Sequence, residues 1–199
     1  MNRAFVVGIA ATALLTLAAC STPVDNQTPS ASSGPSTSAP ASGKLAAPQV
    51  ANPLDASKFE QDPCAVLSQA QASQVANLIT SRKATGDVAP ICTWSDTDHN
   101  TVAFGFIPGN GGLSTSYKSQ DSKSGYFAVA PDVVGYPAVY GAPYDDRGDG
   151  GCQVAVGVSN DEVITVGVTF RKPSPYYSDP CSLAVKAAEA AVTTIKSGA

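Results

Sequence analysis

The clearest structural signal in the chain is a pair of apolar–polar alternations in its last third. Cys152, Val154, Val156 and Val158 share one face of an extended segment, and Ile164, Val166, Val168 and Phe170 share one face of the next. The polar residues Ser159 to Glu162 between them predict an antiparallel hairpin. The same period of two aligns Val102, Phe104 and Phe106 within Thr101 to Ile107. It also puts Cys92 and Trp94 together within Ile91 to Ser95, with Asp96 to Asn100 as the polar turn. Shorter strands are predicted at Tyr126 to Val129 and Ala138 to Tyr140, separated by Gly135-Tyr136-Pro137. Pro108 to Gly112 breaks the pattern. Leu113 to Gln120 reads as a short helix with Leu113 and Tyr117 one turn apart, and Gly141 to Gly151 as a loop.

At both ends of this region the period becomes helical. Behind Asp179-Pro180-Cys181, the residues Ala184, Val185, Ala188, Val192 and Ile195 form one stripe. Asp179 is placed to cap that helix, and Pro180 takes the first helical position, where a missing N–H costs nothing. Asp62-Pro63-Cys64 opens in the same way and is followed by Val66, Leu67, Val75, Leu78 and Ile79 at helical spacing. Ser68 with Gln71 offers a capping box, which marks a break or a second short helix. Helix, several strands, helix is the order of an α+β domain. The expected architecture is an antiparallel sheet with the N- and C-terminal helices packed on one face, over residues 58–199.

Upstream the pattern is neither helical nor extended. Of the 23 residues from Ser21 to Gly43, 19 are Ser, Thr, Pro, Ala or Gly, and Val24 is the one large apolar group. Such composition cannot bury enough surface to offset chain entropy. Thinner low-complexity sequence continues to about Asp55, so residues 20–57 are expected to form a disordered tether. Residues 1–19 carry an export signal: Arg3, an apolar run from Ala4 to Thr16, and the small pair Ala18-Ala19. The run is too short for a membrane span, which needs roughly 20 residues. Leu17-Ala18-Ala19-Cys20 is a lipobox, in which Cys20 takes a diacylglycerol thioether and becomes the new N-terminus. The expected location is the extracytoplasmic face of the cell membrane, held by lipid. A plain secretory signal is the alternative.

Lipidation changes the cysteine count. Five cysteines less Cys20 leave Cys64, Cys92, Cys152 and Cys181, an even set that an exported chain pairs into two disulfides. A zinc site fits poorly, because no pair has C-x-x-C spacing and His99 is the single histidine. The layout favours Cys64–Cys92 and Cys152–Cys181, each tying a helix start to a strand; spacing alone leaves the other two pairings open. The net charge of -4 and pI near 4.8, with no basic cluster, argue against nucleic acid and against peripheral attraction to anionic lipid.

The lipobox, the tether, Asp62-Pro63-Cys64, Cys92-Thr93-Trp94, Gly135-Tyr136-Pro137-Ala138, the strand at Cys152 and the Asp179-Pro180-Cys181 helix occur in an order that resembles a known family. It is the actinomycete lipoprotein family called domain of unknown function 3558, and the resemblance covers roughly Asp62 to Ser197. It implies a cell-envelope lipoprotein with an α+β fold and brings no catalytic residue. A fainter similarity to cysteine-paired sensor domains of bacterial Ser/Thr kinases supports only a ligand-sensing analogy.

Candidate chemistry is sparse. No G-x-S-x-G elbow or phosphate-cradling glycine loop is present. His99 reads as a solvated turn residue. Asp145-Asp146-Arg147-Gly148-Asp149-Gly150 is similar to a calcium loop, but Arg147 takes a ligand position and Val156 stands where the closing Glu belongs. Arg147-Gly148-Asp149 is too short a match to carry an adhesion role. No cofactor or metal is expected. Tyr136, Tyr140, Tyr144, Tyr176 and Tyr177 cluster in two Pro-rich segments, which predicts either loop packing or a shallow apolar groove for an envelope lipid, peptide, glycan or protein partner. The functional expectation is a membrane-anchored, non-enzymatic binding or accessory module. The alternative is a hydrolase of envelope material whose acids would come from Asp96, Asp98, Asp145, Asp146 and Asp149. A transporter's substrate-binding lipoprotein fits less well, since those have two lobes.

Overall fold

The computed structural model describes residues 43–198. The export signal, Cys20 and the tether up to residue 42 lie outside the described residues. Within them, seven strands form one antiparallel sheet: β1 (Thr80–Thr85), β2 (Pro90–Ser95), β3 (Thr101–Ile107), β4 (Tyr126–Val133), β5 (Tyr136–Ala142), β6 (Gly151–Gly157) and β7 (Val163–Thr169). Their spatial order is β1-β2-β3-β7-β6-β5-β4. Both edges are blunted. β1 carries Arg82 and Lys83, and β4 carries Pro131 within a register irregularity between Ala130 and Val133.

One face of the sheet holds the main core. Val102, Phe104, Phe106, Val154, Val156, Ile164, Val166 and Val168 are all at most 3% exposed. Over them lie α1 (Ser57–Gln61), a 3-10 turn (Pro63–Val66), α2 (Gln69–Ala76) and α4 (Pro180–Lys196). The terminal helices therefore share one layer, as the sequence order requires. The alanines Ala184, Ala187, Ala188 and Ala191 let α4 approach the valine rows of β6 and β7 closely. Asp179 accepts from the Ser182 N–H, and the capping box of Ser68 and Gln71 is complete. Lys186 on α4 donates to the carbonyls of Gln74 and Val75, satisfying the free end of α2. Both disulfides join a helix start to a strand on this face: Cys64–Cys92 and Cys152–Cys181, with Cα atoms 5.0 and 5.1 Å apart.

Four details depart from the sequence pattern. The apolar spacing through Leu78 and Ile79 is not one helix. α2 ends at Ala76, because Asn77 adopts the left-handed conformation (φ 54°) that asparagine tolerates. Leu78 then enters the core from an extended segment while Ile79 is left exposed. Tyr136 belongs to β5 rather than to a turn. The two-residue turn is Val134-Gly135, both with positive φ, as a twisted hairpin demands. β1 was not legible at all. Finally, the folded part begins before residue 58. Residues 44–56 form a strap around the end of the sheet: Leu45 and Gln120 exchange two hydrogen bonds, and Val50 N–H donates to Asn160 Oδ1. The Leu54 N–H then donates to the Val158 carbonyl. Val50 and Ala56 are buried, so this part of the 20–57 stretch is core-forming and not a disordered tether.

The strap crosses from one side of the sheet to the other. It reaches α1, where Phe59 stacks on Phe106 at 5.7 Å, and begins beside α3 (Leu113–Lys118). α3 covers the second face. Leu113 and Tyr117 pack there on Val139, Ala155 and Val163, whose sequence neighbours point into the main core. That second layer positions the site.

Candidate functional site

The five clustered tyrosines do not build one groove. Tyr136 is buried at the start of β5; its hydroxyl donates to the Asn52 carbonyl at 2.9 Å and its ring lies under the Lys196 ammonium. Tyr140 packs against the main core, and Tyr176 sits edge-on to Phe170 at 5.3 Å. Tyr177 lies under Lys172. Tyr136, Tyr144 and Tyr176 border three different depressions. Four of the five rings thus serve packing or cation–π contacts, and Tyr144, 66% exposed, is the one left open to solvent.

The dense acids are also dispersed. Asp96 accepts from the N–H groups of Asp98 and Asn100 and from Asn100 Nδ2, and Asn100 Oδ1 accepts in turn from the Arg171 N–H. Asp96 therefore organises a turn, with His99 at its exposed tip in the left-handed region. Asp145 holds Arg147 through two bonds of 2.7 Å, and the hydrogen bond from Arg147 pulls its carboxyl down to about 2. The Arg147 guanidinium also lies 4.4 Å over the Tyr126 ring. Arg147 is thus occupied within its own loop. Among the described residues, no three His, Cys, Asp or Glu side chains converge as a metal site.

What the structure does assemble is a cleft on the second face, between α3, the segment that follows it, and strands β3 to β7. Its volume is about 390 Å³, within the range of roughly 300–1,000 Å³ typical of ligand sites. The floor is apolar, from Ile107, Phe127, Val139, Ala155 and Val163. The rim is hydroxylic, from Thr115, Ser116, Ser119, Ser122 and Ser124. Tyr117 on α3 meets Phe127 edge-on at 4.9 Å and so fixes the width between helix and sheet. No Asp, Glu, Lys, Arg or His lines the cleft. A larger depression of about 810 Å³ follows the strap, but Asp132 and Lys196 border it and strap residues form much of its wall.

None of the cleft residues was a sequence candidate. The available signal was that β5, β6 and β7 carry apolar side chains on both faces, at Val139, Ala155 and Val163 as well as in the main-core rows. A strand apolar on both sides needs cover on both sides.

A family model described as Protein of unknown function (DUF3558) matches residues 15–194. The chain belongs to that family. The match takes in Cys20, both disulfides and every residue lining the cleft. No curated protein and no solved structure matches the chain.

In this DUF3558 member a second feature lies where the strap and α1 meet the β6–β7 turn. The Glu162 carboxyl is half-buried there, and its Oε1 is enclosed without a hydrogen-bond partner. Burial, and then the charges of Glu60, Asp55 and Asp161, push its pKa up to about 7 from the usual 4.5. Between those two values the folded state holds a proton that the unfolded chain has lost. Stability should therefore fall as pH rises from about 4.5 to about 7 and level off above. After allowance for solvent screening, the change is on the order of 1–2 kcal/mol. Glu162→Gln should abolish that fall and be more stable than the parent at pH 8. Urea midpoints at pH 5 and pH 8 test it, and a parent-to-variant gap that is the same at both would refute the assignment.

Proposed function

We propose that the protein is a lipid-anchored, extracytoplasmic binding module with no enzymatic activity, and that the cleft under α3 receives its ligand. The observation that carries this reading is the composition of the cleft walls: apolar floor, hydroxyl rim, no charged side chain. Such a surface gains free energy by desolvating an uncharged, largely apolar ligand, and a few hydroxyls orient it. Hydrolysis of a glycosidic bond by carboxylates needs two of them flanking that bond at separations of roughly 5–9.5 Å. Asp96 and Asp145 are committed to turn hydrogen bonds and stand outside the cleft. The envelope location rests on the lipobox at Cys20 and on the pairing of all four remaining cysteines, which suits an oxidising compartment.

The neutral fluorophore N-phenyl-1-naphthylamine tests the site. It should bind the parent with enhanced emission. Ser116→Trp, placed at the half-buried rim of α3, should weaken binding at least tenfold, and Ala155→Phe should do the same from the floor. Native-like circular dichroism with undiminished probe binding in both variants would remove the cleft from consideration.

A further inference from the structure

The apolar cleft does not end blindly. Ala142, Pro143 and Gln153 line it and also line a second, smaller depression of about 190 Å³ on the same sheet face. The floor of that second depression is made by Thr101, Thr169 and Gln153, kept flat because Ala103 and Gly167 between them present almost no side chain. Tyr144, exposed and free of the packing that holds the other clustered tyrosines, stands at its border, as does the carboxylate of Asp146. Two unlike surfaces are thus continuous: one with an apolar floor, the other with a polar floor and an aromatic ring at its border.

We propose that these two depressions form a single site for an uncharged glycolipid, with its hydrocarbon chain under α3 and its sugar over the Thr101–Thr169 floor beside Tyr144. The inference rests on the binding-module reading and names the ligand class for it. A sugar offers hydroxyls in many directions and apolar C–H faces. Threonine hydroxyls, the Gln153 amide and the Asp146 carboxylate match the former, and a tyrosine ring matches the latter. A phosphate headgroup would find no Lys or Arg in either depression and would face Asp146. Arg147, next in the chain, is bound to Asp145 and stacked on Tyr126. The hydrocarbon end of the site also lies beside the start of the strap. Leu45 is hydrogen-bonded to Gln120, between the cleft residues Ser119 and Ser122, and Lys44 pairs with Asp121. Lys44 and Leu45 are therefore held beside the mouth through which a lipid tail would enter.

The test uses the full chain carrying Cys20→Ser, free of added detergent, and three probes below their micelle-forming concentrations: dodecyl maltoside, dodecyl phosphate and maltose. Isothermal titration should show dodecyl maltoside binding at least tenfold more tightly than either of the others. Tyr144→Ala, a surface substitution, should erase the preference for maltoside over phosphate while leaving the phosphate affinity as it was. Ser116→Trp should abolish binding of both tailed probes. Equal affinity for the two dodecyl compounds would overturn the sugar subsite and leave the binding module standing. Maltose binding as tightly as its dodecyl derivative would overturn the tail subsite. Failure of all three probes, with N-phenyl-1-naphthylamine still bound, would overturn the ligand class alone; failure of that fluorophore as well would overturn both readings.

Discussion

Replacing Cys152 and Cys181 together by alanine is expected to lower the stability of the domain by about 3–4 kcal/mol. The bridge closes a loop of sequence separation 29, and its removal returns that loop's entropy to the unfolded chain. The native side loses packing as well. Cys152 is 2% exposed within the main core, and the Tyr126 hydroxyl, which accepts from the Gln153 N–H at 2.8 Å, points at its sulfur. In a domain of this size the loss corresponds to a drop of roughly 10 °C in Tm. Urea and thermal melts of the double variant check it. A loss under about 1 kcal/mol would mean that the unfolded chain is already compact around this loop. The Cys64–Cys92 pair, with separation 28, should behave alike, and the two losses should add because the bridges tie different helices to strands well apart in the sheet order.

The other large effect concerns location. Cys20→Ser should move the protein out of the membrane fraction or leave it as an unprocessed precursor. Each buried methylene of an acyl chain contributes about 0.8 kcal/mol to membrane attachment, and two chains hold a protein stably where one does not. Among the described residues no helix is long and apolar enough to cross a membrane, and the charge balance is acidic. Fractionation with immunoblotting reads the outcome. A normally cleaved Cys20→Ser protein still retained on the membrane would refute lipid anchoring.

How much of this could be read from the residues alone depended on whether one face of an element was distinct from the other. β3, β6 and β7 each carry an unbroken apolar row at a period of two, and α4 carries its alanine stripe behind a capped Asp-Pro start, so all four were legible. The layout of each DPC tripeptide at a helix start and each partner on an inward strand face favoured one cysteine pairing of three, and the structure forms that one. β1 was invisible because Thr80 to Thr85 has no apolar face; the strand is there because Leu78 leads into it and β2 supplies its hydrogen bonds. The strap was hidden by its composition, since its buried anchors, Val50 and Ala56, are isolated in low-complexity sequence and gain meaning only from the sheet end they touch. The cleft was hidden by topology. Sequence periodicity places Val139, Ala155 and Val163 only within their own strands, and it is the strand order that brings them side by side under the serines that follow α3. The tyrosines misled for the opposite reason: they are close in sequence, while the fold sends four of them to separate packing duties.

The route of the strap would matter mechanically if the chain were held by its N-terminal end. A pull applied at Gly43 would be met first by the Lys44–Asp121 pair and the Leu45–Gln120 bonds, then by the seats of Val50 and Leu54 and by the Tyr136 hydroxyl that holds the Asn52 carbonyl to β5. Peeling can proceed through α1 only as far as Cys64, where the bond to Cys92 hands the force to the sheet. The segment from Gly43 to Cys64 would thus take up extension before the disulfide-linked strand does.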